Sequence, residues 1–212
     1  MRPMKRPPLK PMVQGDLDSL CGLYSAVNAI RWALGGNPPR LTAEDVFAIV
    51  VSRVECVADA GAALTEGIEP PHLFRALTHT LDVLRDHHGI DLIADLPFVG
   101  RRKATIEHVR AALAADLRGS GTAYLVVFWG RLDHWSVVRA VTPASFMLFD
   151  SAGFYRIPLD HCRLRGEARG DRSRLHVLDR RGIIRLRLRE KTMEACASDG
   201  GAGAVTDVDV GG

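Results

Sequence analysis

The sequence predicts an α+β chain, with helices first and an antiparallel sheet second, on three observations. Up to about residue 118, apolar residues recur at three-and-four spacing between helix start and stop signals. From Ala123 the texture changes to short apolar runs rich in β-branched and aromatic residues, broken by Gly, Pro and Ser. The two kinds of segment are segregated along the chain, which is α+β order and not alternating α/β order.

The elements follow in turn. Residues 1–12, with Pro3, Pro7, Pro8 and Pro11 among Arg and Lys, read as a flexible, extended basic arm. Leu20, Leu23, Val27, Ile30 and Leu34 mark a first helix, capped by Asp18 or Ser19 and stopped by Gly35-Gly36-Asn37-Pro38-Pro39. Thr42 caps a second helix running to about Val57. Pro70-Pro71 opens a third that ends near Gly89, and Thr105 starts a fourth that ends around Arg118-Gly119. Strands are expected over Ala123–Trp129, Trp135–Val141, Phe146–Asp150, Phe154–Pro158 and Ile183–Arg189, with one or two more near Ile90–Ile93. This gives a domain over 13–191, its helical lobe about 13–120 and its sheet lobe about 121–191, followed by a disordered Gly/Ala-rich tail over 192–212.

Composition narrows the function classes. A chain of 212 residues, 47% hydrophobic and 25% charged, has the balance of a globular domain with a real core. No segment approaches the ~18 apolar residues that span a bilayer, so no membrane role is expected. Four cysteines without a CxxC spacing indicate neither a zinc ribbon nor a disulfide framework. Prolines stand where a signal peptide needs an apolar run, so the expected location is the cytoplasm, with reduced thiols. The net charge of +3 is read as a solvated basic surface.

The chemistry lies in Gln14-Gly15-Asp16-Leu17-Asp18-Ser19-Leu20-Cys21-Gly22 and in two residues far downstream. Cys21 falls in the first turn of its helix, where the helix dipole favours negative charge on sulfur. The backbone N–H of Cys21 and the side-chain amide of Gln14 together make a candidate oxyanion hole. If Val141-Thr142-Pro143 is the hairpin loop, Val138 faces Phe146, Ser136 faces Leu148 and His134 faces Asp150. Asp150 then accepts a hydrogen bond from one imidazole nitrogen while the other faces Cys21. A one-residue slip would put the pair on opposite faces. Taken singly, Cys21 also reads as a buried helix cysteine, and His134 with Asp150 as a surface ion pair.

Gln14, Cys21-Gly22, His134-Trp135 opening a strand and Asp150 near the end of the next resemble the papain-like cysteine peptidases. The nearest branch is the small bacterial enzymes similar to bacteriocin-leader-processing peptidases. The resemblance spans about Gln14 to Gly153, with its specific motifs at the two ends, and the gap from Gln14 to Cys21 is one residue longer than usual. It implies a helical lobe bearing the nucleophile packed on a sheet lobe, with a peptide or protein substrate in the cleft and no cofactor. By this resemblance Cys21 is the nucleophile, His134 the general base and acid, Asp150 its orienting group and Gln14 the oxyanion donor, with Gly22 and Trp135 beside the substrate. The same residues would serve a transglutaminase- or deamidase-type acyl transfer, and a silent binding module would keep the fold alone.

Other features are read as structural. His72, His79 and Asp86-His87-His88 lack HExxH or cysteine pairing and are taken as a solvated helix end, with no metal expected. His161-Cys162 has no accompanying oxyanion donor. Ile184-Arg185-Leu186-Arg187-Leu188-Arg189 reads as an edge strand with a solvated basic face, or as a docking surface for an acidic protein. No aromatic interleaving points to nucleic acid. The terminal Gly211-Gly212 is read as the end of an unstructured tail, although related peptidases cleave after paired glycines.

Overall fold

In the computed structural model, which describes residues 8–15, 19–119, 121–167 and 175–189, helices begin and end at their punctuation residues. Helix α1 (Cys21–Leu34) stops at Gly35, whose φ of 66° suits a residue without Cβ. Helix α2 (Ala43–Val54) opens on a capping box between Thr42 and Asp45 and ends three residues before the expected Val57. A short α3 (Ala60–Thr65), capped by Asp59, was not expected, because six residues are too few to show a helical period. Helix α4 (Pro70–His88) starts with proline and ends at Gly89, and α5 (Ile106–Asp116) starts at the cap Thr105.

The strands are β1 (Leu92–Asp95), β2 (Thr122–Gly130), β3 (His134–Val141), β4 (Ser145–Phe149), β5 (Arg156–Pro158), β6 (Cys162–Leu164) and β7 (His176–Leu188). They form one sheet in the order β1-β7-β2-β3-β4-β5, and β6 runs parallel beside the first part of β7. The other pairings are antiparallel. The class is therefore α+β. The sheet recruits β1 from within the helical half of the chain, where an extra strand near Ile90–Ile93 is expected, and helices lie on both of its faces. On one face α1 crosses β2 and β3 with α2 and α4 packed beside it, and Leu23, Val27, Leu77, Leu125 and Val137 share one core. On the other, α5 joins Tyr124, Phe128, Phe146 and Leu164 in a second core.

Two expectations are corrected here. The strand holding Arg185, Arg187 and Arg189 is not an edge: β7 has β2 on one side and β1 then β6 on the other. Its arginines are paired within the chain. Arg185 binds Asp95 with Nε and Nη2 and Asp116 with Nη1, while Arg189 reaches Asp91. Second, the N-terminal arm is anchored from Leu9, which with Met12 packs on the first core. Residues 1–7, the tail over 192–212 and its Gly211-Gly212 lie outside the described residues. Among the described residues, no helix is long and apolar enough to cross a membrane.

Candidate functional site

The β3–β4 register decides whether His134 and Asp150 can meet, and it is not the register expected. The hairpin closes with Val141 opposite Phe146, three positions further along β3 than the Val138–Phe146 pair predicted. The reason lies in the loop. Thr142 N donates to Ser145 O at 2.9 Å and Thr142 Oγ1 accepts from Ser145 N at 2.9 Å, which pulls Ser145 into the turn. An odd offset would put the two side chains on opposite faces. A bulge between Val138 and Ala140 gives one position back, so Val138 faces Leu148 and Val137 faces Phe149. The remaining offset of two is even. Continued one residue beyond Phe149, it sets Asp150 against Ser136, diagonal to His134 on the same face.

The contact forms across that diagonal. His134 Nε2 lies 2.8 Å from Asp150 Oδ2, and both residues are buried, at 7% and 3% exposed. The other carboxylate oxygen, Oδ1, accepts from the backbone N–H of Ala152 at 2.9 Å and of Phe154 at 3.0 Å, so the turn after β4 fixes the carboxylate. The Phe154 ring stands edge-on against the imidazole, with centroids 5.5 Å apart. His134 itself is aimed by the β2–β3 turn, whose last residue, Asp133, adopts a left-handed φ of 47°.

Cys21 is the first residue of α1 and is partly exposed. Of the two expected caps, Asp18 lies outside the described residues, and Ser19 Oγ donates to the Thr65 carbonyl at 3.0 Å. Buried Leu20 takes the cap position at the positive end of the helix dipole, and its own side chain makes no cap hydrogen bond. Two residues of α1 one turn apart grip β3 beside His134. The Trp135 N–H donates to Cys21 Sγ at 3.5 Å, and Ser25 Oγ donates to the Trp135 carbonyl at 2.9 Å. These bonds hold the Cys21 thiol next to the strand residue that follows His134.

The electrostatics follow from this geometry. Burial opposes the imidazolium of His134. The hydrogen bond to Asp150 and its charge, with the Cys21 sulfur nearby, outweigh it, and its pKa is pushed up to about 9. Burial likewise opposes the Asp150 carboxylate, but the His134 hydrogen bond and charge hold it below the usual carboxylate range.

Cys21, His134, Trp135 and Gln14 line one cavity of about 280 Å³. Gln14 reaches it because Gln14 N donates to the Ser151 carbonyl at 3.1 Å and Ser151 Oγ donates to Gln14 Oε1 at 3.1 Å. The extra residue between Gln14 and Cys21 thus does not carry Gln14 away from the site. Gly22, expected beside the substrate, is buried and does not line the cavity. A Cβ there would stand 2.5 Å from Ile68 Cγ2 and 3.2 Å from Trp135 Cδ1. Sequence reasoning missed Phe154, Ser151 and Ser25, and for Ser25 the only signal was a polar residue on the apolar face of α1. Among the described residues, no group of three or more His, Cys, Asp or Glu is placed to hold a metal ion. Comparison of the chain with family models, curated proteins and solved structures gives no match.

Proposed function

We propose that this chain is a papain-like thiol hydrolase that cleaves a peptide or isopeptide bond through a covalent acyl-enzyme. The observation that carries the reading is the buried His134, hydrogen-bonded to Asp150 through Nε2, in the same cavity as Cys21. In this mechanism the Cys21 proton passes to His134 and Sγ adds to the substrate carbonyl carbon. The carbonyl π electrons move onto oxygen, and the Cys21 N–H and the Gln14 amide receive that oxyanion. Collapse breaks the C–N bond as His134 protonates the leaving amine. Water, deprotonated by His134, then releases the acid and restores the thiol. Asp150 keeps the imidazole oriented throughout and takes no proton.

The test is alkylation of Cys21 by iodoacetamide at pH 6, where an ordinary thiol with pKa ~8.5 reacts slowly. Faster alkylation than a free thiol, abolished in Cys21→Ala and lowered at least about tenfold in His134→Ala, supports the reading. A rate equal to that of a free thiol and indifferent to His134→Ala sinks it.

A further inference from the structure

We propose that Asn28 and Ser151 are positioning residues that hold the chain segment Met12–Gln14 in place so that Gln14 completes the oxyanion hole. This rests on the thiol-hydrolase reading above. Cys21 and His134 sit on a helix and a strand, but Gln14 sits on an arm outside the sheet and helices. Such a segment gets its position from whatever it is tied to, and a misplaced donor loses most of its effect on a developing charge.

The arm is tied at two points, helix α1 and the turn after β4, each of which also carries a member of the triad. Asn28 is on α1, seven residues after Cys21 and therefore on the same helix face, and it is fully buried. Its Oδ1 accepts from Met12 N at 2.7 Å and its Nδ2 donates to Met12 O at 3.0 Å. One amide side chain thus pairs with both backbone groups of one arm residue, as a neighbouring strand would. A buried Asn on an apolar helix face is costly unless satisfied, and here it is satisfied by the arm. Ser151 directly follows Asp150, is fully buried, and makes the second tie. Its carbonyl accepts from Gln14 N at 3.1 Å, and its hydroxyl donates to Gln14 Oε1 at 3.1 Å. With the carbonyl end of the Gln14 amide engaged by Ser151, the NH₂ end is the donor end. The turn after β4 thereby sets two catalytic groups at once, His134 through Asp150 and Gln14 through Ser151.

Two reagents separate positioning of the oxyanion donor from general damage to the fold. p-Nitrophenyl acetate acylates Cys21 through a tetrahedral oxyanion: Sγ bonds to the carbonyl carbon, the proton goes to His134, and p-nitrophenolate leaves. Iodoacetamide is displaced directly by Sγ with loss of iodide, and no oxyanion forms. Ser151→Ala and Asn28→Ala are each expected to lower the acylation burst about ten- to a hundredfold, within the range for losing an oxyanion donor. Iodoacetamide alkylation should stay within about twofold of the wild type. Gln14→Ala should lower acylation similarly, and Gln14→Ala/Ser151→Ala no further, because both remove one function. Equal acylation in wild type and variants, or a parallel loss in both reactions, overturns the proposal. Because Asn28→Ala removes a buried group, Asn28→Asp is the second variant. It keeps the acceptor for Met12 N, and parallel loss there too leaves no positioning role for Asn28. Failure of the hydrolase reading itself shows differently, as slow iodoacetamide alkylation in the wild type, and takes this proposal with it.

Discussion

At the scale of single residues, the His134–Asp150 pair makes pH the sharpest probe of the site. His134 has its pKa raised to about 9, above the ~6.5 of an unperturbed imidazole. Its contribution to stability is therefore complete below about pH 6.5 and is lost as pH rises through about 9. Asp150 is held low, so its contribution is present above the ordinary carboxylate pKa of ~3.9 and is lost as pH falls through its own lower value. Activity should follow the same groups: cleavage of an amide needs the imidazolium to protonate the leaving amine, so the alkaline limb of turnover of a peptide p-nitroanilide is expected near pH 9. Asp150→Asn removes the carboxylate charge that raises His134. It should move that limb to lower pH and cut turnover about 10²- to 10⁴-fold, since the imidazole is left unoriented. A pH–rate profile of both proteins checks this, and an unmoved limb would remove Asp150 from the triad.

At the scale of elements, the site depends on the close approach of α1 to β3, and Gly22 is a residue whose missing side chain permits it. The absence of a side chain lets Ile68 and Trp135 press on the first turn of α1, and a Cβ would stand 2.5 Å from Ile68 Cγ2. Gly22→Ala is expected to cost about 1–3 kcal/mol, as overpacking does, and to push Trp135 away from Cys21. Urea unfolding followed by tryptophan fluorescence measures the cost, and slower alkylation of Cys21 reports the displacement. The element scale also shows what the sequence made legible. Thr42, Pro70, Gly89 and Thr105 mark helix ends because capping is decided by residues within one turn of each other. The hairpin register depended on which residues the Thr142 hydroxyl draws into the turn and on a bulge, and neither leaves a periodic trace. The parity that brings Asp150 to His134 survived only because one irregularity offset another. The Arg185 strand misled for a related reason: alternating Arg and Leu look like one solvated face, while the partners Asp95 and Asp116 lie 90 and 69 residues away in sequence.

At the scale of the whole molecule, the charge of the cleft opposes the charge of the chain. The chain carries a net +3, yet among the described residues the cavity beside Cys21 is lined by Glu66, Glu69 and Asp133 and by no Lys or Arg. All three carboxylates are exposed, and Arg185 and Arg189 are paired with Asp95, Asp116 and Asp91 at the other end of the sheet. A cationic group entering the cleft meets attraction from three carboxylates, while an acidic one meets repulsion. Each exposed carboxylate contributes modestly, so together they should favour a peptide with Lys or Arg beside the scissile bond over its Glu counterpart by about tenfold in kcat/KM. Attraction of this kind is screened, so the preference should shrink as salt rises from ~0.05 M to ~0.5 M. It should also fall in Glu66→Gln/Glu69→Gln, with the iodoacetamide rate unchanged because that reagent is neutral. A preference that survives both the salt and the double substitution would mean that selection rests on the shape of the cleft around Trp129 and Trp135 and not on its charge.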